Sequence, residues 1–272
     1  MTIASHDGGA RWTQSGPRSS RPPHDEFLGV PFCLLPQNEV ARLIIAQCGE
    51  PYRYVVTPNA YHVVAVHEQP EHLLPIYRGA WLSLCDSRIV RGLAALARRP
   101  LPLATGSDVV AAVLAKLDAQ PPAGGRRRIL VVGPDRIAEL ALRARYPHLD
   151  LQVLPAPRGL ARRADLRLAV ARACVERPWD ILLLCVGCPA QELIARLIAQ
   201  LGRSAGIALC VGAAIDFLTG QAARAPLWLR RLSLEWAYRL AHEPRRLWRR
   251  YLVESPKILR IFLTTRPRSH LS

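Results

Sequence analysis

The stretch Arg128–Leu154, RILVVGPDRIAELALRARYPHLDLQVL, decides the fold. Arg128–Val132 is a short run of aliphatic residues. Gly133-Pro134-Asp135 is turn chemistry, Arg136–Arg145 carries helical periodicity, and Leu149–Leu154 returns to a strand pattern. Working outward, Ala164–Glu176 predicts a helix, Trp179–Val186 a buried strand, Leu193–Leu201 a helix and Ile207–Val211 a last strand. Upstream, Arg53–Thr57 is β-rich and ends at Thr57-Pro58-Asn59, after which Ala60–His67 can be helical. Trp81–Cys85 is another short apolar run, closing on Asp86. Thr105-Gly106-Ser107-Asp108 precedes an amphipathic helix over Val109–Leu117, with Ser107 or Asp108 as its cap, and Gln120–Gly125 is a Pro/Gly linker. Strands alternating with helices predict an α/β, Rossmann-like fold: a mostly parallel sheet flanked by helices, binding ligands at the carboxyl ends of its strands.

Composition sets bounds on the rest. The 272 residues suffice for one large domain or a domain with an appendage, and half of them are hydrophobic. Residues 1–26 are rich in Ser, Gly, Pro and Arg without an apolar run, and are expected to be a disordered leader rather than a signal peptide. The longest apolar stretches, near Ile181–Ala190 and Gly206–Ile215, reach about half of the roughly twenty residues that a bilayer span needs. Seven scattered cysteines form no disulfide framework, and the Cys185/Cys188 pair lacks a second ligand pair for zinc. The expected compartment is reducing, hence cytoplasmic.

The net charge is +16, and the last fifty residues hold most of it. Between Arg224 and Arg268, twelve Lys/Arg face only Glu235, Glu243 and Glu254, and Trp228, Trp236, Tyr238, Trp248 and Tyr251 are interleaved among them. Leu232, Trp236 and Leu240 fall at i, i+4, i+8, on one side of a helix. Residues 223–272 are therefore expected to form a basic, amphipathic, helical appendage, following an α/β domain over 27–222. It suits an anionic, apolar surface such as the cytoplasmic face of a bilayer, and its guanidinium forks suit a diphosphate. The stripe could equally be a core face and the arginines a solvated one. Nucleic acid is a further anionic partner compatible with the charge, but no zinc-finger, RNP-like or basic-zipper pattern accompanies it.

Three loops carry candidate chemistry. Asp86, closing a strand, is placed to act as a general base or ligand orienter, or as a plain turn residue. Thr57 and Asn59 could hydrogen-bond a sugar or base, or serve turn geometry. Gly187-Cys188-Pro189-Ala190-Gln191-Glu192 opens a helix whose first turn, with the Gln191 amide, could meet a nucleotide; alternatively Gln191 and Glu192 complement the helix N-terminus. The chain contains no DxD metal clamp, so a leaving diphosphate would have to be stabilised by cationic side chains, and it has neither a Walker loop nor a GxSxG elbow, which argues against a nucleotide-dependent hydrolase.

The ordered blocks TPNAYHVV (57–64), LCDSRIV (84–90), TGSDVV (105–110), VGCPAQE (186–192), VGAAIDFLTG (211–220), RAPLW (224–228) and LEWAYRLAHEPRRLWRRYL (234–252) resemble the WecG/TagA/CpsF family of bacterial glycosyltransferases, from about Phe27 to Phe262. The resemblance implies inverting, metal-independent transfer of a sugar from a nucleotide donor, typically UDP-linked, to a polyprenyl-diphosphate-linked saccharide in cell-surface or exopolysaccharide assembly. The nucleotide sugar is a co-substrate, and no cofactor is implied. Asp86 would be the base. Thr57, Asn59, Gly106, Asp108, Gly187, Gln191 and Glu192 would form the donor pocket. Arg224, Arg239, Arg245, Arg246 and Arg249 would face the leaving diphosphate and the membrane. The implied protein is peripheral on the inner membrane face, and its exposed aromatics suit self-association into a homo-oligomer. Two departures stand out: Asp86-Ser87-Arg88 replaces the usual Asp-Gly, and Leu103 sits where many members have an arginine, a role open to Arg88 or Arg99. The rival expectation is a non-catalytic basic protein that binds nucleic acid or an anionic membrane.

Overall fold

The computed structural model describes residues 21–265, except 50, 120–124, 227, 230, 231 and 233. A hairpin of β1 (His24–Phe27) and β2 (Val30–Cys33) leads into α1 (Gln37–Ala46), β3 (Arg53–Val56), α2 (Ala60–Glu68), α3 (Pro70–Gly79), β4 (Leu82–Ser83), α4 (Arg88–Leu96) and α5 (Gly106–Ala119). The second half runs β5 (Arg128–Val132), α6 (Arg136–Arg145), β6 (Asp150–Leu154), α7 (Ala164–Val175), β7 (Ile181–Leu184), α8 (Ala190–Gln200), β8 (Ile207–Cys210) and α9 (Ala214–Leu218). The chain ends in α10 (Glu235–His242), α11 (Pro244–Trp248), a π-helical turn (Arg249–Glu254) and α12 (Lys257–Thr264).

Six strands form one all-parallel sheet in the order β4-β3-β8-β7-β5-β6, which is the Rossmann-like arrangement the alternation predicts. The central strands are aliphatic throughout because both faces are covered. Ile129, Val131, Ile181, Leu183, Ile207 and Leu209 pack with α1, α5, α6 and α9. Leu130, Val132, Leu182, Leu184, Ala208 and Cys210 pack on the opposite face with α2, α3, α7 and α8. All seven cysteines are free, and among the described residues no helix is long and apolar enough to cross a membrane.

The fold takes in the end of the stretch read as a leader. β1 starts at His24, and Phe27 is buried against the core beside Phe262 of α12, with ring centroids 6.3 Å apart. Asp25 accepts a hydrogen bond from Arg99 Nε at 3.0 Å. Residues 1–20 lie outside the described residues. The expected cap of α5 also shifts. Helix begins at Gly106, so the Asp108 N–H reaches back to Thr105 Oγ1 at 3.3 Å and Thr105 does the capping. The Leu232/Trp236/Leu240 stripe is not one core face, because α10 starts at Glu235 and buries no residue, and Leu232 precedes it with 62% of its surface exposed. Pro244 then opens α11, where its missing N–H costs nothing.

β5 and β7 meet tightly where they leave the sheet. Gly133 adopts φ +124°, and a Cβ there would lie 2.7 Å from the backbone oxygen of Cys185. The atom met is backbone, which cannot swing aside as the end of a flexible side chain could. Gly133→Ala is expected to lower stability by about 2 kcal/mol or more, read from urea denaturation, because backbone strain and overpacking combine.

Candidate active site

The loops at the carboxyl ends of β3, β4, β7 and β8 open into one cleft of about 1050 Å³, roofed by the C-terminal helices. Thr57 leaves β3 buried, its Oγ1 donating to the Cys210 carbonyl at 2.8 Å, which ties the ends of β3 and β8 together. Asn59 caps α2, accepting from the Tyr61 N–H at 3.1 Å. Both line the cleft, and each is already engaged by the fold.

Asp86 follows β4, with its own N–H donated to the Pro58 carbonyl at 3.1 Å. The capping role that might have claimed it belongs to Ser87, whose Oγ accepts from the Val90 N–H at 3.2 Å. The Asp86 carboxyl is therefore left to the cleft. Burial pushes its pKa up to about 7, with Glu235 adding to the rise and Arg250 and Arg239 opposing it. A carboxyl poised near neutrality, in a cleft, is suited to taking a proton.

Gln191 and Glu192 form the floor rather than the wall. The Gln191 side chain is spent at both ends: its Oε1 accepts from the Gly212 N–H at 2.9 Å and its Nε2 donates to Glu192 Oε1 at 2.8 Å. Glu192 has no exposed surface, and among the described residues it does not line the cleft. A donor-pocket role for it therefore passes through Gln191. Gly106 is likewise packed under Thr57 Cγ2, 3.2 Å from where a Cβ would stand, whereas Gly187 and Asp108 do face the cleft.

His62, Cys188 and Glu192 bring one ligand atom each to within 4.8 Å of one another. The hydrogen bonding of His62 favours a proton, over a cation, on the ring nitrogen that faces this cluster. His62 Nδ1 accepts from the Asn59 N–H at 3.3 Å, so the ring proton sits on Nε2, which faces Glu192 Oε1 at 3.5 Å. Ligation through Nε2 would force a proton onto Nδ1 against that N–H. Burial and the neighbouring Glu192 hold the Cys188 thiol well above its ordinary pKa, again disfavouring the thiolate a metal needs.

The cleft's cationic wall comes from the tail. Arg224 forms an ion pair with Asp108 and donates to Ser107 Oγ at 2.6 Å. The Arg224 and Arg239 guanidinium groups lie 5.9 and 5.1 Å from the Phe217 ring centre. Arg246 pairs with Glu243 at 2.6 Å and Arg249 with Glu254 at 3.4 Å, both at the cleft. Arg245 is exposed and, among the described residues, is not part of the lining. Its expected place is taken by Arg250, 4.9 Å from the Tyr61 ring centre, which sequence reasoning had not singled out. The π-helical turn rotates Arg250 away from where α-helical spacing would put it. Glu235, Trp236 and Phe217 were also missed. Of the two candidates for the role at Leu103, Arg99 is bound to Asp25 and Arg88 lines the cleft.

A parallel sheet with an ionisable carboxyl and a ring of arginines at its carboxyl edge defines a site for displacement chemistry on an anionic substrate. Residues 26–271 match the profile of the Glycosyl transferase WecG/TagA/CpsF family, and the chain belongs to that family. It is similar to the N-acetylglucosaminyldiphosphoundecaprenol N-acetyl-beta-D-mannosaminyltransferase of Bacillus spizizenii (strain ATCC 23059 / NRRL B-14472 / W23), 28% identical over 149 residues, 54% of each chain. The protein of the same name from Bacillus subtilis (strain 168) is 35% identical over 86 residues, 32% of this chain and 33% of that one. The matches thus span about half and a third of those relatives.

Gln191→Ala would strand the Gly212 N–H and one Glu192 oxygen in the floor. A loss of about 1–3 kcal/mol in denaturant unfolding is expected, the cost of buried groups left without partners.

Proposed function

We propose that the protein is an inverting glycosyltransferase that moves a sugar from a UDP-sugar to a polyprenyl-diphosphate-linked saccharide, without a metal ion. Asp86 takes the proton of the acceptor hydroxyl as its oxygen attacks the anomeric carbon. The bond from that carbon to the donor diphosphate breaks in the same step; the departing nucleoside diphosphate keeps the bonding electron pair, and the arginine wall stabilises the negative charge that develops on its oxygen. The observation that carries this reading is the meeting of Asp86, with a pKa of about 7, and the Arg224, Arg239, Arg246 and Arg249 side chains around one cleft. The absence of a DxD pair and the His62 tautomer support cationic side chains, rather than a bound cation, in the role of diphosphate partner.

The appendage gives the reading its location. Trp228, Leu232, Trp248, Leu252, Val253, Leu259 and Leu263 expose half or more of their surface in most cases, among abundant arginines. That combination favours the anionic, cytoplasmic face of a membrane, where a lipid-linked acceptor resides. The gathering of Arg88, Arg224, Arg239, Arg246, Arg249 and Arg250 around the Asp86 cleft favours this reading over a general nucleic-acid binder.

Asp86→Asn is expected to lower turnover on the order of a hundredfold or more while UDP-sugar binding by calorimetry changes little. Wild-type turnover in that variant would remove Asp86 as the base. The wild-type rate should climb as pH rises through about 7, since the base works ionised; a level profile between pH 5 and 8 would contradict this. Stability runs the other way. The folded-state pKa exceeds the ordinary 3.8, so ionising Asp86 costs stability as pH rises from about 4 to about 7. The asparagine variant should therefore melt higher than wild type at pH 8, which separates lost chemistry from lost folding.

A further inference from the structure

The cleft has two cationic ends, and they differ in what surrounds them. At one end Arg224 and Arg239 flank Phe217, and the lining there includes Gly187, Gly212, Ala213, Asp108 and Asp216, with no aliphatic channel leading away among the described residues. At the other end stands Arg250, between the Tyr61 ring at 4.9 Å and the Tyr251 ring at 5.7 Å. Unlike Arg224, Arg246 and Arg249, Arg250 makes no ion pair and no side-chain hydrogen bond among the described residues, and its Nε is buried without a partner. A guanidinium fixed by two rings, with its donors unspent, awaits an anion.

The surroundings of Arg250 specify which anion. Tyr61, Ala65, Glu68 and Gln69 recur along one side of α2, and all four line the cleft, so this arm follows α2 away from the sheet. Its other walls are largely aliphatic, from Leu73 of α3, Leu247, Leu252, Ile258 and Leu259, with Glu254 and Ser255 among them; the Glu68 and Glu254 carboxylates are both paired with Lys257. Leu252 and Leu259 are more than half exposed, so the arm opens to solvent through a hydrocarbon rim. A cation beside Asp86 followed by a largely aliphatic channel, whose two carboxylates are neutralised by Lys257, matches an amphiphile with an anionic head and a hydrocarbon tail. A nucleotide matches the Phe217 end.

Building on the transferase reading above, we propose that Arg250, held by Tyr61, binds the diphosphate of the lipid-linked acceptor, and that the α2–α12 arm receives the first units of its isoprenoid chain. Arg224 and Arg239 are left to the donor diphosphate. The two diphosphates then approach Asp86 from opposite ends of the cleft, which places the acceptor sugar, and its hydroxyl, between them.

The test uses the full chain and two probes in calorimetric titrations: farnesyl diphosphate for the acceptor end and UDP for the donor end. Arg250→Gln should weaken farnesyl diphosphate on the order of tenfold to a hundredfold, as expected for lost charge-assisted hydrogen bonds, and leave UDP within about twofold. Arg239→Gln should do the reverse. Arg250→Lys, which keeps the charge but not the planar fork over Tyr61, should fall between wild type and Arg250→Gln. Farnesol, lacking the head group, should bind wild type and Arg250→Gln alike. Unchanged farnesyl diphosphate affinity in Arg250→Gln, or equal loss of both probes in a variant that melts like wild type, would overturn the assignment. Wild-type binding of farnesyl diphosphate without UDP would instead overturn the donor reading while the Arg250 site stood, and binding of neither would overturn both.

Discussion

A parallel sheet covered by helices on both faces has nowhere to do chemistry except at the ends of its strands. β3, β5, β7 and β8 each pair with a strand on both edges, and their aliphatic side chains are consumed by the two apolar layers. Only the residues just past the carboxyl ends escape: Thr57, Asp86, the turn from Cys185 to Gln191, and Val211 with Gly212. The cleft exists because these four exits are held in register, by the Thr57 bond to Cys210, the Gln191 bond to Gly212 and the close passage of Gly133 past Cys185. Polar side chains that look like ligand-binding groups thus serve first as ties between strand ends.

The distribution of charge follows the same logic. Asp86 reaches the cleft from the end of a sheet strand, while most of the cleft's cations, Arg224, Arg239, Arg246, Arg249 and Arg250, come from the tail. Burial alone would make the Asp86 carboxyl a poor base by keeping it protonated, and Glu235 works in the same direction; Arg250 and Arg239 draw it back toward ionisation. The competence of the sheet's carboxyl therefore depends on a segment that contributes almost nothing to the sheet's own core. In that segment Leu247 and Ile258 are the fully buried apolar side chains among the described residues after Ala225, and each contributes roughly 2 kcal/mol.

Where local pattern and tertiary packing agree, the sequence was a sufficient guide. The β5–α6–β6 unit lies within a residue of where its periodicity puts it, because Gly133, Pro134 and Asp135 punctuate it and Asp135 caps α6 through the Ala138 N–H. α3 escaped because Pro70 and Pro75 speak against a helix, yet Leu73, Ile76 and Tyr77 bury one face and override that preference. At the site, Asp86 was legible from its position after a strand. Gln191 lines the cleft while Glu192 does not, a split the sequence does not show because polar residues opening a helix are expected to face outward; here the first turn of α8 points into the protein, and hydrogen bonds of Gln191 to Glu192 and Gly212 accompany the burial. Arg250 could not be told from Arg245, Arg246 and Arg249 by composition or by a 3.6-residue period, since the π-helical turn breaks that period.

The Arg224–Asp108 pair has a consequence for what any measured affinity would mean. Thr105 Oγ1 donates to Asp108 Oδ2 at 2.7 Å, so the carboxylate is anchored in place and not free to swing aside. An incoming anion that takes the Arg224 nitrogen bound to Asp108 must exchange with a resident one. Binding there is then a swap of counter-ions, whose free energy is a difference between two similar contacts. Such a swap selects for anions that outcompete a carboxylate by charge or by a second oxygen fork, and it rejects monoanions of acetate type.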